Sequence, residues 1–235
     1  MEKKHFILDE GNRAAYALAE IIGEASVPAI YNPAIIFGNS GNGKSHLINI
    51  IQASVLEKGK NIIVTSGQQL VEKLIYEIRN TKNFTISEFC KKFYETDVLI
   101  VEDIQYIKDT YTTQECLIKI TQHFVEQEKQ ILFTMNCAPA DLDMFEMQFR
   151  ARFQNSIQLN IEDSTEELRT KIVEDFCKEK KWEVSETMKR RVAGATKTPA
   201  EVLGVMKQVM FYKEEIREYL NQELIEKVLK ERKIY

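Results

Sequence analysis

Residues Gly38–Ser45 read GNSGNGKS, between the apolar run Ala34–Phe37 (AIIF) and the helix-forming stretch His46–Ile51 (HLINII). A glycine-rich turn that leaves an apolar strand and opens a helix lets successive backbone N–H groups point at an anion, with the positive end of the helix dipole behind it. The spacing is G-x-x-x-x-G-K-[ST], in which the lysine reaches the β/γ-phosphates of a nucleotide as a point charge and the next hydroxyl faces Mg2+. Lys44 and Ser45 fill those two places. A glycine-rich turn without a ligand is the plainer alternative, and it leaves both the spacing and the strand-to-helix context unexplained.

About sixty residues later, Val98–Val101 (VLIV) ends in Glu102 and Asp103. The run is continuously apolar, as a strand covered on both faces must be. Acids at its end stand where a nucleotide-bound Mg2+ needs a carboxylate and an attacking water needs a base. Taken alone, the pair reads equally well as a solvated strand end. A further strand, Ile131–Thr134, delivers Asn136 to the same sheet edge, where a neutral amide can orient water beside a γ-phosphate; loop chemistry is the other reading of that asparagine. Arg150 and Arg152 lie between Phe149 and Phe153. From spacing alone a functional role and a solvated or core-anchoring one are equally open.

Five β-branched runs, Ala34–Phe37, Asn61–Thr65, Val98–Val101, Ile131–Thr134 and Ser156–Asn160, alternate with helical patterns. Such alternation predicts an α/β fold with a parallel sheet between flanking helices. Helix starts are expected where a Ser or Thr precedes a Glu or Gln by three: Ser66 with Gln69, Thr85 with Glu88, Thr112 with Glu115, and Ser164 with Glu167. Strand signals stop near residue 160. The expected organisation is therefore a nucleotide-binding base over 1–162 and a small helical domain over 163–235.

The chain has 235 residues, 44% of them hydrophobic, and a net charge of -4, so it lacks the basic excess of a protein that grips nucleic acid by charge alone. Cys90, Cys116, Cys137 and Cys177 are widely spaced, which argues against a zinc site or disulfide framework and for buried free thiols in a reducing compartment. No run approaches the roughly 18 apolar residues of a membrane span, and the start has no apolar segment behind its lysines. A cytoplasmic location without membrane contact is expected.

Taken together, Gly11-Asn12-Arg13, Asn32-Pro33, GNSGNGKSHL, VLIVEDIQY, Thr113-Gln114-Glu115 and Arg150-Ala151-Arg152-Phe153 resemble the AAA+ ATPase domain of the bacterial replication initiator DnaA over nearly the whole chain. The resemblance implies a P-loop AAA+ fold: a five-stranded parallel base, a small α-helical lid, ATP or ADP with Mg2+ as ligands, and ATP-dependent homo-oligomeric assembly. It makes Asn39, Ser40, Gly41, Asn42, Gly43, Lys44, Ser45 and His46 the nucleotide-binding loop, with Ser45 and Glu102 on the metal. It further makes Asp103 the base, Asn136 sensor 1, and Arg152 the finger offered to a neighbour's ATP. Asn12, Arg13, Asn32 and Pro33 are implied beside the adenine.

A unit of this kind also resembles Hda, the initiator's regulator, and helicase loaders. A DnaA-family or helicase partner is therefore an expected alternative to self-assembly. Because the sequence stops at Tyr235, sequence-specific duplex binding is not expected; single-stranded DNA contact through an assembled channel is left open, with Thr112 where the initiator has a basic residue. Three positions depart from the family pattern. Glu102 replaces an aspartate, Gln148 an arginine, and Ala200, in the helix start Thr198-Pro199-Ala200-Glu201, stands where the sensor 2 arginine is placed. These departures imply slow hydrolysis in trans, or a nucleotide-stabilised adaptor with little or none.

Overall fold

Val98–Val101 shows how the sheet is covered. Leu99 and Val101 pack with Leu70, Leu74, Phe89, Leu117 and Phe133 on one side, whereas Val98 and Ile100 pack with Leu18, Ile22, Leu47 and Leu132 on the other. Successive side chains of a strand point to opposite faces, so an unbroken apolar run buries both. The computed structural model describes residues 6–24, 31–138 and 145–234. Its strands are β1 (Ala34–Phe37), β2 (Ile62–Ser66), β3 (Val98–Glu102), β4 (Gln130–Met135) and β5 (Ile157–Asn160). They form one sheet of order β2-β3-β4-β1-β5, parallel at every pairing.

Helices α1 (Arg13–Glu24) and α2 (Lys44–Glu57) supply the apolar side chains of one face. The other face is covered by α3 (Gly67–Asn80), α4 (Ile86–Lys91), α5 (Tyr111–Glu126) and α6 (Met147–Gln154). The expected α/β architecture of five parallel strands between helices is thus the observed one. The strands extend or shift by a residue or two from their predicted limits, as element ends commonly do.

Two predicted caps are present: Ser66 and Gln69 satisfy each other's backbone at the start of α3, and the Thr85 hydroxyl accepts from the Glu88 N–H at α4. Two others differ. Helix α5 starts at Tyr111, one residue before the expected cap Thr112; Thr110 stands at the cap position, and its hydroxyl donates to the Ile107 carbonyl at 2.8 Å instead of capping. At the start of α7 (Glu166–Lys180) the cap is Thr165, not Ser164. The Ser164 hydroxyl is taken by the Lys197 carbonyl at 3.1 Å.

The chain divides into two compact units, one of Asn12–Asn39 and Lys44–Ile161 with the first residues, the other of Glu162–Tyr235 with Ile7–Gly11 and Ser40–Gly43. The second unit is helical: α7, α8 (Glu186–Ala195), α9 (Pro199–Glu214) and α10 (Gln222–Glu231). Its core is built from Val173, Val192, Val205, Val209, Ile225 and Val228. Arg191 grips the Glu226 carboxylate with two hydrogen bonds, at 2.6 and 2.9 Å. Among the described residues, no helix is long and apolar enough to cross a membrane.

Candidate nucleotide site

All five parallel strands run the same way, so the loops after β1, β3 and β4 leave one edge of the sheet, where ligands of open α/β folds bind. Gly38 opens the first of these loops at φ 147°. A Cβ there would stand 2.3 Å from the Ile161 carbonyl oxygen, because the chain beyond β5 is held against β1 by the Ile161 N–H on the Phe37 carbonyl at 2.7 Å. Gly38→Ala is expected to cost about 3 kcal/mol or more from backbone strain and overpacking. Gly59→Ala is the comparison: it has positive φ but open space around it, so it should lower the urea midpoint far less.

Lys44 opens α2 and folds its side chain back over the loop, where Nζ donates to the carbonyls of Gly38 at 2.5 Å and Asn39 at 3.0 Å. It is only 8% exposed, and burial pulls its ammonium below the usual lysine value against the opposing carboxylates of Asp103 and Glu102. A buried cation held by two neutral carbonyls is a group to which a phosphate would bring the missing countercharge.

Ser45 Oγ donates to Glu102 Oε2 at 3.0 Å. Oxygens on adjacent corners of a Mg2+ octahedron with bonds of ~2.1 Å are about 3 Å apart, so the glutamate brings two hard ligands to a fitting separation despite its extra methylene. Among the described residues no cluster of three or more His, Cys, Asp or Glu side chains forms a metal cage.

Asp103 follows β3 in the left-handed conformation, φ 52° and ψ 54°. Its N–H donates to Thr134 Oγ1 at 3.1 Å, and its carboxylate Oδ1 accepts from Gln105 Nε2 at 3.2 Å. Thr134 and Gln105 hold Asp103 in place, contacts that the sequence reading missed. Thr134 sits on β4 two residues before Asn136, and that same-face spacing was the available signal. The Gln114 side chain, 1% exposed, donates to the carbonyls of Ile107 and Lys108 and accepts from the Glu146 N–H. It thereby ties the turn after the acid pair to the start of α6.

Asn136 is exposed just beyond β4. His46, in the first turn of α2, sets its ring edge-on to Phe6 at 5.3 Å. Asn12 is buried and Arg13 is exposed at the start of α1. Asn32 and Pro33 are not brought to the loop: they precede β1, at the opposite end of a four-residue strand. The Asn32 amide is spent on the Lys129 carbonyl at 2.7 Å and the Ile131 N–H at 2.9 Å. The amide joins the starts of β1 and β4. Arg150 and Arg152 both lie on α6; the side chain of Arg152 is outside the described residues.

In the second unit, the loop tip Ser40–Gly43 has its own anchors. Asn42 Nδ2 donates to the Glu162 carbonyl at 3.1 Å and to Asp163 Oδ1 at 2.9 Å, and the Gly41 carbonyl accepts from the Ala200 N–H at 3.2 Å. Thr198 caps α9 by accepting from the Glu201 N–H, and Glu201 returns to the Lys197 N–H at 2.6 Å. Ala200 contributes only backbone to the loop.

A five-stranded parallel sheet with a phosphate-type loop after β1 and an acid pair at the end of β3, with β4 inserted between those two strands, defines a P-loop AAA+ module. The chain belongs to the bacterial DnaA ATPase domain family, whose match covers residues 2–160. It is 32% identical over 170 residues to the chromosomal replication initiator protein DnaA of Lachnoclostridium phytofermentans, a match covering 72% of this chain and 37% of that protein. The chain thus corresponds to little more than a third of that relative's length. Domain III of the Thermotoga maritima replication initiation protein DnaA superposes with a TM-score of 0.87, covering 97% of this chain and 95% of that one; at 24% identity this likeness speaks for the fold. A replication initiator DnaA bound to AMPPCP and single-stranded DNA superposes with a TM-score of 0.84 at 26% identity, covering 98% of this chain and 69% of that one.

Proposed function

We propose that this chain binds ATP or ADP and acts in DNA replication initiation or its regulation, assembling through its nucleotide with copies of itself or with a DnaA-family or helicase partner. Residues 1–162 form the nucleotide-binding base and 163–235 the lid. The observation that carries this reading is the buried Lys44 ammonium, held by the Gly38 and Asn39 carbonyls beside the Ser45–Glu102 pair.

In this reading Lys44 and the loop amides hold the phosphates, and Ser45 and Glu102 hold Mg2+, which supplies charge neutralisation to the phosphate oxygens. Asp103, fixed by Thr134 and Gln105, takes the proton of the attacking water while Asn136 orients it. Arg152 of a neighbouring copy stabilises the charge that develops, so hydrolysis is in trans and slow in a lone subunit. Contact with single-stranded DNA belongs to the assembled form, by analogy with the DNA-bound relative.

Sizing the protein with ATP, ADP or neither, alongside phosphate release against protein concentration, tests this. ATP-specific assembly with turnover rising faster than concentration is expected. The second reading, a nucleotide-stabilised adaptor, is favoured by Ala200, whose first-turn position offers the loop an N–H and no side chain for a phosphate. Tight ATP binding with a monomer throughout and no release above background would establish it instead.

A further inference from the structure

Cys90 on α4 and Cys116 on α5 lie 26 residues apart in sequence, and their sulfurs are 3.1 Å apart. Both are 0% exposed. They sit in the cluster of Phe89, Phe93, Leu117 and Ile120. We infer that Cys90 and Cys116 form an oxidisable dithiol, a modification site that takes a small peroxide and closes to an intramolecular disulfide.

Three features support this. A formed disulfide has an S–S bond of about 2.04 Å, so closure asks for an approach of only about 1 Å from two helices already packed together. The pair is also asymmetric: the hydrogen bond from Cys116 holds the Cys90 thiol below its usual value, while the same bond and burial push Cys116 up. Cys90 is therefore the sulfur favoured to give up its proton, with Lys119 and its ion-pair partner Glu115 acting in opposite senses nearby. Finally, α4 is a single six-residue helix with Asn83 at positive φ just before it. Short elements of this kind open locally at low cost, which admits a reagent of water-like size to a buried sulfur.

The chemistry balances with a peroxide as the oxidant. The Cys90 thiolate attacks one peroxide oxygen, the O–O bond breaks, and hydroxide leaves, giving a sulfenic acid on Cys90. Cys116 then attacks the Cys90 sulfur; the S–S bond forms, the S–O bond breaks, and water departs with the thiol proton. The two thiols lose two electrons and the peroxide gains them.

The test is intact mass and peptide mapping of the native full chain after excess hydrogen peroxide, with denaturing alkylation before digestion. The expected product has lost about 2 Da, and trypsin joins peptide 83–91 to peptide 109–119. Cys90→Ala and Cys116→Ala each abolish that linkage, while Cys137→Ser and Cys177→Ala keep it. Recovery of both peptides alkylated and linear, a bridge to Cys137 or Cys177, or oxygen addition to Cys90 without linkage would each overturn the assignment. Because mapping the unsubstituted chain reads the bond directly, the outcome does not depend on whether the alanine variants fold.

Discussion

Lys44→Ala is expected to weaken ATP binding about 100-fold, measured by calorimetric titration at fixed Mg2+. The free protein holds the ammonium with two carbonyls, at 2.5 and 3.0 Å, and a hydrogen bond to a charged group is worth about 1.5–3 kcal/mol. Two decades of affinity correspond to about 2.7 kcal/mol, which asks no more than one or two such bonds to a phosphate. The variant should fold, because the substitution removes a charge whose burial is itself unfavourable. The sign of the pH dependence follows from the same burial. Burial holds the Lys44 ammonium below the usual lysine value in the free protein, so its charge, and with it ATP affinity, is lost on raising the pH earlier than for a solvated lysine. Lys44→Arg should not rescue binding, since a planar fork does not fit a site built for a compact point charge. ATP affinity of Lys44→Ala within about threefold of the unsubstituted protein, less than one ordinary hydrogen bond, would remove the phosphate role from the loop.

The sheet was legible because each strand states its burial locally. A run such as VLIV can be satisfied only between two covered faces, and the faces prove to be covered by α1 and α2 on one side and α3 to α6 on the other. The loop was legible because its glycines, lysine and serine are contiguous. What the sequence did not disclose are the bonds made over long separations. Asn42 reaches partners 120 and 121 residues away, and Asp103 depends on a hydroxyl 31 residues on. No local pattern encodes either.

Local ambiguity accounts for the remaining differences. Thr110 and Thr112 are both plausible caps for α5; Thr110 takes the position, although its hydroxyl turns back to the Ile107 carbonyl instead of capping. Ser164 and Thr165 compete in the same way, and Lys197, 33 residues away, decides between them. Asn32 shows the converse. Its position next to Pro33 is conspicuous in the sequence, while its amide bonds, to Lys129 and Ile131, span 97 and 99 residues that no local pattern links.

Arg152→Ala is expected to lower ATP turnover of the assembled protein by about 10³-fold or more while leaving ATP affinity unchanged, since a finger supplied by a neighbour is worth about 10³ to 10⁵ in rate. At about 1.36 kcal/mol per decade, this is roughly 4–7 kcal/mol of transition-state stabilisation, too large for a solvated surface charge. The helix that carries position 152 is firmly set: Phe149 and Phe153 are 1% and 2% exposed, their rings lie 4.5 Å apart, and Phe153 meets Phe133 of β4 edge-on at 4.9 Å. Gln114 fixes its start through the Glu146 N–H. Arg150→Ala, on the same helix, controls for a general loss of positive charge. Mixing decides whether the action is in trans. Lys44→Ala keeps an intact finger and Arg152→Ala an intact nucleotide site, so neither turns over alone, yet their mixture regains activity wherever the two sit side by side in order. A mixture as inactive as its components, with assembly demonstrated by sizing, would place Arg152 outside the reaction, and turnover would then have to arise within a single subunit.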